Sequence, residues 1–146
     1  MEARALRLPT AAPGDAFAVT IPVSVGELID KITILSLKTQ RVRNVQKRLM
    51  AAQELALLHE AVGPMRAADA TGEIAALAAR LEVVNGALWD VEDSLRAMER
   101  AGDFGAGFVE AARKVYRFNN ERARLKNAVN AAVGCVLMEV KEHPDY

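Results

Sequence analysis

Aromatic side chains are scarce in this chain, 5% of 146 residues, although 51% are hydrophobic. Its apolar mass is mainly alanine, leucine and valine, which suits close helix packing better than a sandwich or barrel. Cysteine is nearly missing as well. A lone Cys135 cannot form an internal disulfide, so a reducing compartment, the cytoplasm by default, is expected. Set among Val133, Gly134, Val136 and Leu137, it reads as a small buried apolar residue with no activating neighbour. Excess charge of either sign is absent, since nineteen basic and nineteen acidic residues cancel. That argues against a nucleic-acid or anionic-membrane partner, whose binding rests on a basic surplus. There is no apolar run of ~18 residues to span a bilayer. Residues 1–20 carry scattered arginines but no continuous apolar stretch of the signal-peptide kind. His59 and His143 stand far apart without metal-ligand spacing, so neither a zinc site nor a histidine base has support. No cofactor or metal is expected.

What the chain does contain is helical period. Residues 1–16, with Pro9, Pro13 and Gly14, read as a flexible arm, and residues 17–23 as a short extended lead-in to one helical domain spanning 17–146. Ser24 and Glu27 have the spacing of a capping box, with Val23 and Leu28 placed as a hydrophobic staple. From there a first long helix is predicted to run to an abrupt stop at Gly63-Pro64. Its seam is Leu28, Ile32, Leu35, Thr39, Val42, Val45, Leu49, Ala52 and Ala56. A second helix, capped by Asp69 or Thr71 and ended by Gly102, has the strongest pattern: Ile74, Leu77, Leu81, Val84, Leu88, Val91, Leu95 and Met98 form an unbroken heptad seam. A third helix is predicted from Phe104 or Phe108 through Ala111, Val115, Phe118, Leu125, Val129, Ala132 and Val136 to Val140, with Pro144 closing the chain. Short connections force neighbours to alternate direction. The expected fold is all-α, an antiparallel three-helix bundle of helices roughly 45–55 Å long at ~1.5 Å per residue. Such rods leave apolar surface for a second copy, so a homodimer is expected.

Some polar residues exceed what this packing requires. Arg122 occupies a seam position of the third helix, where a charge must be paired or face a cavity. Around it Arg113, Tyr116, Asn120, Asn127 and Asn130 recur at spacings of three, four and seven, flanked by Asn119 and Lys126. Asparagine competes for the backbone inside helices, so this stripe suggests a buried hydrogen-bond network or a polar ligand; a solvated face would more naturally be lysine and glutamate. Lys31, Lys38 and Arg41 line one side of the first helix and, with Arg122 and Lys126, could cradle a phosphate or carboxylate, though ordinary surface charge is the simpler reading. Trp89 lies just off the second seam near Asn85, Glu92, Asp93 and Arg96, a position typical of packing or subunit contact. Asp90, Glu92 and Asp93, set against Glu27 and Asp30, give only a weak echo of a Mg²⁺-holding carboxylate pair, because Glu27 is already used as a cap.

Three segments carry a resemblance. These are IPVSVGELIDKITIL at 21–35, VNxxLWDVEDxxR at 84–96, and FVxxARxVYxxNNxRAxLKxxxN at 108–130. Together they resemble a bacterial family of small uncharacterised helical proteins, with polar and apolar positions both matching. Ser36 departs from the pattern, standing where relatives are expected to carry glutamate. The resemblance implies a helical fold and supplies no catalytic residue.

The functional expectation is a self-associating helical-bundle interaction or accessory protein. The rival is a small all-α enzyme or binding protein for an anionic metabolite in an interhelical groove. Its ligand-binding candidates are Lys31, Lys38, Arg41, Trp89, Glu92, Arg113, Tyr116, Asn120, Arg122 and Lys126. The sequence leaves catalysis open.

Overall fold

A computed structural model describes residues 19–142, and the arm at 1–16 lies outside them. The protein is all-helical there, with four helices instead of the expected three: α1 Val25–Arg41, α2 Val45–Ala67, α3 Glu73–Ala101 and α4 Ala106–Ala132. Residues 19–23 enter α1 without regular structure and remain exposed.

Ser24 starts α1, its Oγ accepting from the Glu27 N–H at 3.1 Å. The reciprocal half of the predicted box is replaced, because the Glu27 carboxylate is drawn across to Lys126 of α4 at 2.7 Å. The long first helix breaks at residues 42–44, where Val42 and Asn44 take extended backbone. Asn44 is the reason on the α2 side. Its side chain accepts from Lys47 N–H at 3.0 Å and so begins a new helix. The break lets α2 fold back antiparallel on α1, with Lys31 meeting Glu54 at 2.5 Å. It also resets the buried phase. Leu49, Ala52 and Ala56 of the expected seam are exposed, while Ala51, Leu55, Leu58, Val62 and Met65 turn inward. Pro64 does not stop the helix. It lacks only its own N–H, and α2 continues to Ala67, closing through the Ala68 N–H on Pro64 and Met65 carbonyls.

Gly72, at φ 72°, holds the cap position of α3 in place of the expected Asp69 or Thr71, and those two serve the first turn from before it: Asp69 Oδ2 accepts from Ala75 N–H at 3.1 Å and Thr71 Oγ1 from Glu73 N–H at 3.4 Å. Gly102, at φ 67°, ends α3 as predicted, with the Asp103 N–H returning to the Met98 carbonyl. Helices α3 and α4 form a long antiparallel hairpin, bridged by Arg80 and Glu121 at 3.2 Å. The last helix stops at Ala132, well short of Val140, because Gly134 at φ 66° reverses the chain. The tail then runs back along α4, leaving Val136 94% exposed and Cys135 half-buried.

Helix α1 is the hub, packing on all three others, whereas α2 rests chiefly on α1. The core gathers Ile29 and Ile32 of α1, Val62 of α2, Ile74, Leu77 and Leu81 of α3, and Leu125 and Val129 of α4. Burying each such side chain is worth about 1.5–3 kcal/mol, which makes this cluster the main stabilising feature. No described helix is long and apolar enough to cross a membrane.

Candidate functional site

Where α1 passes between α3 and α4, apolar packing gives way to a polar crossing. Two features of α1 bring it close to α4. Gly26 has no Cβ, and one placed there would run into the Lys126 carbonyl oxygen. Its N–H, one of the donors that a helix start leaves unpaired, donates to Asn130 Oδ1 at 2.6 Å. Asn130 is thus a cap supplied by another helix. Its own Nδ2 is buried without a partner among the described residues.

One turn further along α1, Asp30 is 1% exposed. Arg122 grips it in two-pronged fashion, Nε to Oδ1 at 2.8 Å and Nη2 to Oδ2 at 2.6 Å. Asn85 of α3 donates through Nδ2 to Asp30 Oδ1 and to Thr33 Oγ1, both at 2.9 Å, and the Thr33 hydroxyl donates to the Asp30 carbonyl. Three helices therefore meet on one carboxylate. The hydrogen bond to Asp30 raises the Arg122 pKa above its ordinary value, against a lowering by burial. A buried charge pair of this kind is stable only when its remaining hydrogen-bonding capacity is used, and here three donors supply it.

Beside it, the Lys126 ammonium, its side chain 8% exposed, lies between Glu27 at 2.7 Å and Glu139 at 2.5 Å. Burial pulls its pKa down, but hydrogen bonds to Glu139 and Glu27 together outweigh that and the net shift is upward. Glu139 comes from the returning tail. Asn127 fixes it there by donating to the Glu139 carbonyl and accepting from the Glu139 N–H, each at 2.9 Å. Lys141 reaches the Asn119 carbonyl at 3.3 Å.

The other candidates are distributed along the molecule. Lys31 pairs with Glu54, and Lys38 is exposed near the end of α1. Arg41 bonds Asp90 at 2.6 Å, with its guanidinium carbon 5.9 Å from the Trp89 ring centroid. Glu92 pairs within α3 with Arg96, and Arg113 with Glu110 at 3.6 Å. Tyr116 is part-exposed, and Asn120 lines a cleft of about 290 Å³ between α4 and the tail. So Arg122 and Lys126 share one crossing, Arg41 and Trp89 share another contact about three turns along α1, and of three clefts among the described residues only the one at the tail is lined by any of the ten, Asn120 alone. Among the described residues no three His, Cys, Asp or Glu side chains gather as metal ligands.

Sequence reasoning undervalued Asp30, Thr33, Asn85 and Glu139. A signal existed for the first three: Asp30 and Thr33 interrupt the apolar face of α1, and Asn85 sits against the α3 seam between Val84 and Leu88. Glu139 had none, because its place depends on the reversal at Gly134.

This geometry belongs to a chain that matches the family model described as a family of unknown function, DUF6165, over residues 19–145. The chain belongs to that family. No curated protein and no solved structure matches it. For this DUF6165 protein, chemistry must accordingly be argued from the crossing itself. Asp30, buried and held by three donors, is closed to a substrate, and the charges of Arg122 and Lys126 already face carboxylates. The arrangement locks three helices and the tail together.

Proposed function

We propose that this protein works as a self-associating helical assembly module, an accessory to other machinery more than a catalyst. The supporting observation is an unfinished seam. Helix α1 ends at Arg41 beside Asp90, so the α3–α4 hairpin projects past it uncovered. There Val91, Leu95 and Met98 of α3 and Phe108, Val115 and Phe118 of α4 are only half-buried, with Phe104 at 56% exposure and Val109 at 53%. A second hairpin laid on this face would complete a four-helix arrangement of the kind heptad seams favour. Charge supports the same pairing. The projecting part of α3, with the turn that follows, is net acidic through Asp90, Glu92, Asp93, Glu99 and Asp103 against Arg96 and Arg100. The facing part of α4 is net basic through Arg113, Lys114 and Arg117 against Glu110. A two-fold contact sets the α3 of one copy against the α4 of the other.

The rival, an anionic metabolite held by Arg122 and Lys126, is less well supported because the incoming anion must displace Asp30 or Glu139. Light scattering on size-exclusion fractions of the full chain is the test. The expected mass is twice 15.8 kDa, falling to one copy in Leu95→Glu. A wild-type chain that stays single at high micromolar concentration refutes the proposal.

A further inference from the structure

The balance of nineteen basic and nineteen acidic residues hides a local imbalance. Between Asp30 and Glu54 no acidic residue occurs, while Lys31, Lys38, Arg41, Arg43, Lys47 and Arg48 are all basic. Two of these cations are neutralised within the fold, Lys31 by Glu54 and Arg41 by Asp90. Lys38, Arg43, Lys47 and Arg48 are exposed around the corner where α1 turns into α2. No described carboxylate lies within ion-pair distance of any of the four.

Folding does not ask for this arrangement. A helix start carries a partial positive charge and favours aspartate or glutamate in its first turn. Helix α2 has no acid there, and Lys47 and Arg48 stand within four residues of its Asn44 cap. Their charge opposes the helix dipole, and no ion pair among the described residues offsets it.

The same corner exposes aliphatic side chains. Val45 is 57% exposed, Leu49 56% and Met50 66%. At 3.6 residues per turn these three share the side of α2 turned away from its buried Ala51 and Val62, with Lys47 on one flank and Arg48 on the other. The nearest acid along α2, Glu54, is held by Lys31, and Glu60 lies about 15 Å beyond Met50 at ~1.5 Å per residue. None of these cationic and aliphatic residues lines any of the three clefts, so the patch is an open helix face.

Cations alone suit any polyanion, and the aliphatic side chains narrow the choice. A phosphate backbone makes no use of them, and no aromatic side chain between residues 31 and 53 could stack on a base. A bilayer surface takes both at once. Anionic headgroups meet the cations, aliphatic side chains enter the acyl boundary, and lysine and arginine stems lie alongside them.

We infer that the end of α1 and the first half of α2 form a docking surface for an anionic lipid bilayer. Val45, Leu49 and Met50 enter the acyl boundary, and Lys38, Arg43, Lys47 and Arg48 lie on the headgroup phosphates. The inference is independent of self-association, whose face lies on the α3–α4 hairpin.

Co-sedimentation of the full chain with vesicles of equal parts phosphatidylglycerol and phosphatidylcholine tests it, beside vesicles of phosphatidylcholine alone and soluble polyglutamate. Binding is expected to the anionic vesicles only, and to vanish at about 1 M salt, where the screening length falls to ~3 Å. Each of Arg43→Gln, Lys47→Gln and Arg48→Gln should weaken it about fivefold, and Leu49→Ser about tenfold. All four positions are exposed, and removing Lys47 or Arg48 relieves the conflict with the dipole, so thermal unfolding no lower than wild type is the control. Absence of binding to the anionic vesicles in low salt overturns the inference. So does binding to polyglutamate as tight as to vesicles and unaffected by Leu49→Ser, which makes the corner a site for an acidic protein. A chain that binds the vesicles while staying a single copy upholds the inference and refutes self-association alone.

Discussion

The α3–α4 hairpin is one structure with two characters. In its proximal half, around Leu81, Asn85, Arg122 and Val129, α1 lies against both helices, and the same stretch contains the deepest apolar burial and the densest polar network. In its distal half the heptad continues without a flaw, yet apart from Ala111 no residue beyond Leu88 of α3 or before Ala123 of α4 is buried. The sequence pattern is equally strong in both. What differs is the presence of a third helix, which shows that a seam specifies a direction of packing and leaves the partner to be supplied.

Breaking the proximal half should therefore cost most. Asp30→Ala strands the Arg122 charge and removes the Asn85 amide bond to the carboxylate, and a loss of about 3–5 kcal/mol in chemical denaturation is expected; a loss below 1 kcal/mol would show that the crossing is decorative. The paired substitutions Leu81→Ala and Leu95→Ala compare the halves directly. The first should cost about 2–5 kcal/mol at any protein concentration. The second should cost about 1 kcal/mol in dilute solution and more as concentration rises, if a second copy covers it. Equal, concentration-independent losses would erase the distinction between the halves.

Gly26→Ala comes next. Alanine favours a helix interior by about 1 kcal/mol over glycine, but the clash with a backbone oxygen is not relieved by a rotamer change, so a net loss of about 1–3 kcal/mol is expected. A stabilised variant would show that α1 and α4 need not approach so closely.

A pH titration sharpens the same comparison. The folded pKa of Lys126 lies above its ordinary value. Its contribution is thus complete below the ordinary lysine value and disappears as pH rises through the raised one, giving a loss of stability confined to strongly alkaline solution. Glu139→Gln, which removes one of the two carboxylates, should move that loss to lower pH; an unchanged alkaline limb would mean that the tail contact contributes nothing. The smallest effect belongs to the distal surface. Arg96→Ala removes two exposed pairs, to Glu92 and Asp93, and should shift stability by no more than about 0.5 kcal/mol.

Much of this was readable beforehand, residue by residue. Ser24, Asp69, Thr71 and Gly102 act at the helix ends assigned to them, and the α3 seam faces inward through Leu88. Arg122 and Asn130 stood out as polar residues needing partners, and both have a buried one. The breaks at Asn44 and Gly134 were harder to read. Each is an ordinary surface polar or small residue in a helical context, and the local cap at Asn44 and the reversal at Gly134 are held by what the returning chain buries or bonds: Val62 in one case, Asn127 in the other.

The amino-acid order alone settled that this protein is helical, where α3 begins and ends, and which face of each segment seeks shelter, because these follow from backbone hydrogen bonding and the 3.6-residue period within a single stretch of chain. Only tertiary packing decided that one long segment folds into α1 and α2, that Asp30 is the partner of Arg122, and that Glu139 returns to Lys126. Those outcomes rest on contacts between residues up to 99 positions apart, whose energies no local pattern encodes.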